Sequence, residues 1–410
     1  MDPIQIHDSH VKHWEEWFGG ERSDTFFDHY TIDWERPQEL WTQFRNFPSH
    51  TSIPEQLLQH IWKAITHPVE DHLALREEIQ EAVMQPILLE ELRQAIRKAP
   101  SGSVPGPSGL SYDMMKEWPE TVLTRVHETV DKIWREKLIP ECWNKKWLCP
   151  KPKVDPEIAT LNDLRPLNLL ETPRKLLMGI IVKRITTVWE SRGILSESQY
   201  GFRPQRSCEG PTLQVLNAQE EAEESGTEFH GSSWDIKRAF DTVPKSVLVM
   251  SWERLGVPSV VANYIVDMDR NCLTIPLTPH AQHIKNVQGL NAITTHPSTE
   301  TTAQGFYGVT GTSQGDTPSP SNFNAALDIP LKALETAHSY PFMVRTDIEL
   351  TNSQAIAFAD DVYTFAARQE GLQEKADIMS ASAAILGVFF ATQKLRTTAK
   401  SWGNEPTSIL

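Results

Sequence analysis

Hydrophobic and polar residues alternate in blocks along this chain, and the spacing within each block predicts its local structure. Apolar residues at helical spacing predict two helices between His72 and Lys98, separated near Pro86. A run rich in Pro, Gly and Ser from Pro100 to Gly109 predicts a loop. Helical spacing returns over Tyr112 to Trp118 and over Val122 to Trp134. This part of the chain is therefore predicted to be mainly helical.

The blocks after residue 140 are shorter, and strand patterns join the helical ones. Trp147 to Pro152 and Leu164 to Leu170 predict strands around a polar turn, whereas Arg174 to Trp189 predicts a helix. Trp234 to Phe240 predicts the end of a strand that breaks into a turn. Ile356 to Tyr363 has two apolar arms around an acidic pair, as at the tip of a hairpin.

The composition is typical of a soluble globular protein, with 410 residues of which 39% are hydrophobic. No apolar run reaches the roughly eighteen residues of a membrane helix, and the amino terminus lacks the apolar core of a signal peptide. The four cysteines lie far apart without a CxxC pair, which favours reduced thiols over disulfides or a zinc site. An intracellular protein, nuclear or cytoplasmic, is therefore expected.

The net charge of -15 argues against nucleic-acid binding, because phosphate contacts are made by Lys and Arg. The charge is unevenly distributed, since residues 143–206 hold twelve basic and six acidic residues. A basic groove in an acidic body would still bind a duplex, whereas a solvated positive face would have no such role. A missing basic partner segment would also explain the imbalance.

Two acidic motifs, far apart in the sequence, indicate a shared chemical role. Asp235 lies in a strand-like run, and Asp360-Asp361 forms the tip of the hairpin-like run. Carboxylates on separate elements would suit a pair of Mg²⁺ ions, since hard divalent cations prefer oxygen ligands. The alternative is a solvated turn at Asp360-Asp361, because Asp favours turns through bonds from its side chain to the backbone.

Other motifs accompany these carboxylates in a recognisable order. They are Lys98 to Leu110, Lys151-Pro152-Lys153, Leu164-Arg165-Pro166-Leu167, Gln199-Tyr200-Gly201-Phe202-Arg203 and Gly311 to Phe323. Together with the carboxylates, the ordered set resembles the reverse transcriptase domain of non-LTR (LINE-like) retrotransposons. The resemblance runs from Lys98 to near Arg396 and covers about three quarters of the chain.

This resemblance implies an α/β (α+β) fold of the right-hand polymerase type. An antiparallel palm sheet backed by helices would carry the aspartates, and the fingers would precede it. The implied divisions are an aromatic-rich region without an assigned role (1–70), a helical extension (71–140), fingers and palm (141–400) and a tail (401–410). A thumb would be missing or truncated, and residues 278–305 would form an irregular insertion without an assigned role.

The resemblance also implies the catalytic residues. Asp235, Asp360 and Asp361 match the acids that hold two Mg²⁺ ions, with Mn²⁺ as an alternative; Asp361 would be nearer the primer end or only outer-shell. The implied reaction is in-line attack of a primer 3′-hydroxyl on the α-phosphate of a nucleotide. Without metal, three neighbouring carboxylates would raise one another's pKa.

The nucleotide-binding residues implied by the resemblance lie mainly in the fingers. Lys151 and Arg165 match the side chains that grip the triphosphate, and Lys153 is an alternative to Lys151. A fixed guanidinium fork and a point charge suit phosphate oxygens. If Arg165 were structural instead, it would pair with Asp163 or Glu171.

Further matches concern the base pair and the sugar. The Phe240 ring matches the position beneath the incoming sugar, where it would collide with a 2′-hydroxyl and select deoxynucleotides; it would equally serve as core. Gln314 would reach the nascent pair, and Gly315 would allow close backbone approach to the template base. The chain departs from the family pattern at Thr317-Pro318 and at Pro330, which is predicted to interrupt the following helix.

Weaker matches complete the predicted site. Lys394 resembles a lysine near the pyrophosphate that would act as general acid, although a solvated lysine fits the pattern equally. Arg203 and Arg206 would bind the template backbone or, as the alternative, support the end of the following helix. Asp241 matches a second acid of the Asp235 block and is predicted to make a structural bond.

Two functions of different class follow from these observations. The first is an RNA-directed DNA polymerase whose partners are an RNA template, a DNA primer and deoxynucleoside triphosphates, with no membrane partner. The second is an inactive protein, derived from a retroelement, that binds RNA or a protein partner. An RNA-dependent RNA polymerase would share the same chemistry, but the Phe240 ring argues against it.

Overall fold

The computed structural model describes residues 3–19, 24–277, 305–336, 342–345 and 350–400. Helices and strands mix throughout these ranges, which confirms the predicted α/β class. The helices are α1 (Pro3–Gly19), α2 (Phe26–His29), α3 (Trp41–Arg45), α4 (Glu55–Thr66), α5 (His72–Met84), α6 (Leu89–Lys98), α7 (Tyr112–Lys116), α8 (Glu120–Arg135), α9 (Thr172–Ser191), α10 (Glu209–Ser225), α11 (Ala239–Thr242), α12 (Lys245–Arg254), α13 (Ser259–Arg270), α14 (Ser319–Glu335) and α15 (Gln369–Leu386). The strands are β1 (Lys145–Pro152), β2 (Leu164–Leu169), β3 (Phe229–Asp235), β4 (Leu273–Pro276), β5 (Phe306–Tyr307), β6 (Phe342–Arg345), β7 (Leu350–Ser353), β8 (Ala355–Phe358), β9 (Asp361–Ala366) and β10 (Arg396–Lys400).

The chain divides into two compact units, and each unit is assembled from three separate stretches of sequence. The first unit comprises Met1–Arg22, Ile79–Thr186 and Ser259–Ser319. The second unit comprises Ser23–Glu78, Thr187–Pro258 and Pro320–Leu410. The domain boundaries expected at residues 70, 140 and 400 stay a prediction. The expected tail and nearly all of the expected 278–305 insertion lie outside the described residues.

The first unit contains a mixed four-stranded sheet in the order β2-β1-β4-β5. Strands β1 and β2 are antiparallel, whereas β1 and β4 are parallel. Helix α1 packs against β4 and β5 through aromatic side chains such as Trp14 and Phe18, which contact Leu148 and Phe306. A second cluster joins α6, α7 and α8 to α9. Apolar burial thus supports the β1–β2 hairpin.

The second unit contains an antiparallel four-stranded sheet in the order β10-β3-β9-β8. Helix α15 packs against β3 and β9, and helix α10 packs against β8. Phe229, Ile356 and Phe365 form the core of this sheet with two alanines of α10. Strands β6 and β7 form a separate antiparallel pair. The central pair, β3 and β9, therefore lies in a well-buried setting.

Most elements predicted from apolar spacing are present. Helices α5 and α6 lie on either side of Pro86, and α7 and α8 follow the predicted loop. Strands β1 and β2, helix α9 and the β8–β9 hairpin also match their predictions. All four cysteines, which lie in the described residues, are free. In the described ranges, no helix has the length and apolar character needed to cross a membrane.

The predicted interruption at Pro330 is wrong, because α14 continues through this residue to Glu335. A proline inside a helix removes one hydrogen bond and costs about 3 kcal/mol. Here the flanking Ile329 and Leu331 are almost completely buried. In the same turn, the Asp328 carboxylate accepts a hydrogen bond of 2.6 Å from the buried guanidinium of Arg254. Tertiary packing and this ion pair outweigh the local cost of the proline.

Candidate active site

The three predicted catalytic aspartates lie together at one end of the β3–β9 pair in the second unit. Strand β3 ends at Asp235, strand β9 begins at Asp361, and these two residues are direct partners in the antiparallel register. Asp360 occupies the turn between β8 and β9. The sequence folds this way because most side chains of both strands are buried, and the carboxylates Asp235 and Asp361 fall where the strands end.

The electrostatics of this end follow from the crowding of like charges. Burial, followed by the charges of Asp361 and Asp235, raises the pKa of Asp360. Lys394, in a short 3₁₀ helix, donates a hydrogen bond to the Asp235 carboxylate. This bond raises the pKa of Lys394, so the ammonium holds its proton more tightly. The lysine therefore compensates part of the negative charge of the carboxylates.

The donor set fits a hard divalent cation, since it consists of carboxylate oxygens at the exposed end of a sheet. Asp361 and Asp235 lie within electrostatic reach of Asp360, since their charges add to the burial that raises its pKa. Across the described ranges, however, no group of three His, Cys, Asp or Glu side chains is already arranged to hold a metal ion. The carboxylate of Asp235 instead bonds to Lys394.

Phe240 follows β3 and forms an aromatic stack beside the aspartates. Its ring is stacked on Phe323 at a centroid distance of 5.0 Å and meets Phe202 edge-on at 5.9 Å. The ring is only half-buried, so one edge remains accessible. Both predicted uses of the ring, as core and as a screen for the sugar, fit this environment. The neighbouring Asp241 is buried, in keeping with a structural role.

The predicted triphosphate-binding residues lie in the β1–β2 hairpin of the first unit. Lys151 and Arg165 are direct partners in the antiparallel register and are both exposed. Direct partners share one face of a sheet, and like charges at such positions destabilise the pair. The alternative partners of Arg165 are engaged elsewhere, Asp163 with Thr160 and Glu171 with Ser108. An exposed cationic pair of this kind suits a polyanion such as a triphosphate.

The predicted base-pair residues, Gln314 and Gly315, lie in a tight loop of the first unit. Gly315 has φ +103°, and a Cβ at this position would lie 2.8 Å from the Asn168 carbonyl oxygen. The Asn168 amide donates a hydrogen bond of 2.7 Å to the Gln314 carbonyl. Only glycine fits between this loop and β2. The loop therefore lies directly against the same hairpin that carries Lys151 and Arg165.

Two buried ion pairs hold this loop on either side. Before Gln314, the Lys146 ammonium donates hydrogen bonds of 2.5 Å to Asp269 and to the Ser313 hydroxyl. After Gly315, the Arg174 guanidinium donates one of 2.5 Å to Asp316. The side chains of Arg174 and Asp316 are 1% and 2% exposed. Buried charges of this kind destabilise a fold unless they are paired, so the pairs restrict the loop to one position.

The predicted template-binding arginines have structural partners. Arg203 is buried; its guanidinium forms two bonds of 2.9 Å to Glu190 and donates another to the Ser196 carbonyl. Arg206 forms an ion pair with Glu197 and donates to the Glu197 carbonyl oxygen. These partners tie both arginines to the end of α9 and to the loop before α10, not to α10 itself, so neither the support of the following helix nor template binding is borne out, and template binding stays a prediction.

The basic window at residues 143–206 is partly neutralised in the same way. Six of its twelve basic residues form ion pairs with carboxylates: Lys146, Arg174, Arg184, Arg192, Arg203 and Arg206. Lys151 and Arg165, by contrast, are exposed. The excess positive charge is therefore concentrated on fewer side chains than the sequence indicates.

The sequence interpretation missed the residues that support the site. It assigned no role to Lys146, Arg174, Asp269 or Asp316, although Asp316 belongs to a quoted motif. It also assigned no separate role to Gln199, which is 2% exposed. A polar residue inside an otherwise apolar block was the available signal, because buried polar groups need partners. The partners themselves are distant in sequence, so spacing could not identify them.

Comparisons with known proteins agree with the geometry. A model of the reverse transcriptase (RNA-dependent DNA polymerase) family matches residues 149–405. The RNA-directed DNA polymerase from mobile element jockey of Drosophila melanogaster is 23% identical over 216 residues, which are 53% of this chain and 23% of that protein. The retrovirus-related Pol polyprotein from type-1 retrotransposable element R2 of Popillia japonica is 24% identical over 323 residues, which are 77% of this chain and 39% of that protein.

The matched stretches therefore span less than two fifths of these relatives. The family match begins after the Lys98 to Leu110 block, so that block lies outside it. The match and the relatives confirm the resemblance to the polymerases of non-LTR retrotransposons. Reverse transcriptase domains generally use divalent metals, in agreement with the oxygen donors at Asp235, Asp360 and Asp361. Because the family model covers more than half of its residues, the chain belongs to the reverse transcriptase (RNA-dependent DNA polymerase) family.

Proposed function

We propose that this chain is an RNA-directed DNA polymerase of a retrotransposon, which extends a primer 3′-hydroxyl with deoxynucleoside triphosphates on an RNA template. The observation that carries the proposal is the register of β3 and β9, which sets Asp235 opposite Asp361 with Asp360 beside them. In this proposal the β10-β3-β9-β8 sheet is the palm, and the β1–β2 hairpin belongs to the fingers.

The side chains of the second unit would bind the reacting atoms. Asp235, Asp360 and Asp361 would hold two Mg²⁺ ions, with Mn²⁺ as an alternative, and these ions would lower the pKa of the primer hydroxyl and neutralise phosphate charge. The half-buried Phe240 ring would exclude a 2′-hydroxyl by contact. Lys394 would donate a proton to the leaving pyrophosphate after its bond to Asp235 is released.

The side chains of the first unit would bind and orient the nucleotide. Lys151 and Arg165 would neutralise the triphosphate, which would remove the repulsion between these two paired cations. Gln314 would contact the nascent base pair, and Gly315 would let the backbone approach the template base. The buried ion pairs on either side of this loop support such a role, because residues that contact the nascent base pair must be held in a fixed position.

Primer extension on a poly(rA)/oligo(dT) template with Mg²⁺ tests the proposal. The unmodified protein is expected to add dTMP, whereas a variant carrying both Asp360→Asn and Asp361→Asn is expected to add none. Asp267→Asn is the matched control, since it removes an aspartate charge on α13 that pairs with the exposed Arg270. Equal use of UTP would favour an RNA polymerase instead. Template–primer binding, measured by fluorescence anisotropy, reports whether the double variant is folded.

A second candidate function is an inactive protein that binds RNA or a protein partner. Two observations favour it: Lys394 is bonded to the Asp235 carboxylate, and the chain carries a net charge of -15. This candidate predicts no extension by the unmodified protein, together with retained binding of the template–primer or of another partner. The same two assays, extension and anisotropy, therefore separate the two functions.

A further inference from the structure

Gln199 forms a clamp on the turn that carries the catalytic acidic pair. Its side chain is almost completely buried in the second unit. The Gln199 Oε1 atom accepts hydrogen bonds from the amide of Gly201 at 2.7 Å and from the amide of Ala359 at 3.1 Å. Its Nε2 atom donates to the Ala359 carbonyl at 3.3 Å. One side chain thus satisfies both backbone groups of the residue that precedes Asp360.

Ala359 needs this support because of its backbone conformation. Its φ is +56°, in the left-handed region that residues other than glycine seldom adopt. Such a conformation persists only where the surrounding structure holds it. The direction in which Asp360 leaves the turn depends on it, since Asp360 is the next residue. Loss of the clamp would let Ala359 relax toward a common conformation and would move the acidic pair.

The segment that carries Gln199 is itself fixed on the sheet. The Tyr200 amide donates to the Ala357 carbonyl at 2.8 Å, and the Ala357 amide donates to the Ser198 carbonyl at 2.7 Å. A Cβ added at Gly201 would lie 2.8 Å from the Ala359 Cα, so the two turns are in direct contact. The clamp is therefore rigid at both ends.

We propose that Gln199 is a positioning residue that sets the geometry of Asp360 and Asp361 for metal binding and nucleotide addition. The functional part of this inference rests on the proposed polymerase function, but the structural part does not. Gln199 touches no reacting group; it acts only through Ala359. Gln199 belongs to the Gln199 to Arg203 motif, for which the sequence had suggested a role only for Arg203, namely template contacts or support of the following helix.

The structural part is tested by hydrogen exchange of the metal-free protein. Gln199→Met keeps the length of the side chain and removes all three hydrogen bonds. Amides of the peptide that spans residues 356–363 are expected to exchange at least about fivefold faster, because one net hydrogen bond is worth roughly this factor. Gln354→Met is the matched control: it replaces another buried glutamine next to β8 and is expected to leave the β8–β9 turn unchanged.

The functional part is tested by Mn²⁺ binding, followed through the electron paramagnetic resonance of the free ion. Gln199→Met is expected to weaken Mn²⁺ binding about tenfold, and to lower kcat for primer extension while the Kd for template–primer stays within twofold. Gln199→Glu keeps an acceptor oxygen for both amides but loses the donor, so intermediate exchange is expected. That variant also gives the test if Gln199→Met does not fold.

Unchanged exchange at residues 356–363 in both Gln199 variants would overturn the proposal. Faster exchange with unchanged Mn²⁺ binding would equally overturn it, because the turn would then not govern the carboxylates. An unmodified protein that binds Mn²⁺ but extends no primer would refute the polymerase function alone. In that case, the exchange and Mn²⁺ results still decide whether Gln199 positions the acidic pair.

Discussion

Asp235 lies directly opposite Asp361 across the antiparallel pair β3 and β9. Like charges at paired positions destabilise a sheet, and the third carboxylate, Asp360, adds to the repulsion. A fold that keeps these three carboxylates together is destabilised by their repulsion, and such local destabilisation is typical of functional sites. The Lys394 ammonium offsets part of this charge. The proposed polymerase function depends on this pairing of Asp235 with Asp361.

Removal of the Phe240 ring is expected to weaken the discrimination against ribonucleotides. The ring is held by Phe323 and Phe202, so Phe240→Ala opens space at the accessible edge without moving β3. Loss of a steric wall is worth about 1 to 3 kcal/mol, so the relative kcat/KM for ribonucleotides should rise about 10- to 100-fold. Phe389→Ala, at an exposed position of the same unit, is the control. An unchanged ratio in Phe240→Ala would mean that another group screens the sugar.

Neutralisation of Lys151 is expected to have opposite effects on nucleotide binding and on stability. Lys151→Met should raise KM for the nucleotide about tenfold, because a charge-assisted contact to phosphate is lost. The same change removes the repulsion with Arg165, so the free energy of unfolding should rise slightly. Steady-state kinetics and urea unfolding measure the two effects. Lys145→Met, at the other end of β1, should change neither the KM for the nucleotide nor the free energy of unfolding. A similar KM in the Lys145 and Lys151 variants would exclude triphosphate binding by Lys151.

Arg174→Met is expected to destabilise the first unit strongly. It leaves the Asp316 carboxylate buried without its partner, which should lower the free energy of unfolding by about 3 to 5 kcal/mol. A second change, Asp316→Asn, removes the unpaired charge and should recover part of this loss. Arg125→Met breaks an exposed ion pair with Glu128 and should cost far less. If urea unfolding showed the same loss of unfolding free energy in the Arg174 and Arg125 variants, the structural role of the Arg174–Asp316 pair would be contradicted.

The buried Lys375 is expected to make stability depend on pH. Burial lowers its pKa to about 8 in the folded state, against about 10.4 when unfolded. Between these values the unfolded chain binds the extra proton, so stability should increase with pH, by up to about 3 kcal/mol across the full interval. Lys375→Met should be more stable than the unmodified protein at pH 7. The difference in unfolding free energy between Lys375→Met and the unmodified protein, measured by urea unfolding, should shrink toward pH 10. A difference that stayed constant with pH would contradict the lowered pKa of Lys375.

The sequence predicted the elements around the site better than the contacts inside it. The strand ending at Asp235 and the hairpin at Asp360 formed as expected, because most side chains of both strands are buried in this sheet. The pairs Lys146–Asp269 and Arg174–Asp316 join residues more than a hundred positions apart, so local spacing carries no signal for them.

The aromatic-rich amino-terminal region shows the same limit. No helical period was assigned to residues 1–70, yet α1 and α4 form there. In the second unit, Phe26, Phe44 and Trp62 pack within about 6 Å of one another as a compact aromatic cluster. The buried residues of α4 recur at helical spacing, so the signal for this helix was present and was missed, whereas the contacts between the rings have no local signal. The Pro330 prediction failed because packing around α14 outweighed the local rule.

Single-turnover primer extension by Asp235→Asn, with RNA template and Mg²⁺, decides whether these aspartates form the active site. Asp235 is the partner of Asp361 and accepts from Lys394, so the change removes one carboxylate oxygen and the charge of the ion pair with the lysine. We expect the rate of extension to fall by at least about a hundredfold to a thousandfold, because an essential electrostatic group is lost. Template–primer affinity should be retained. Extension within tenfold of the unmodified protein would contradict the assignment of the active site.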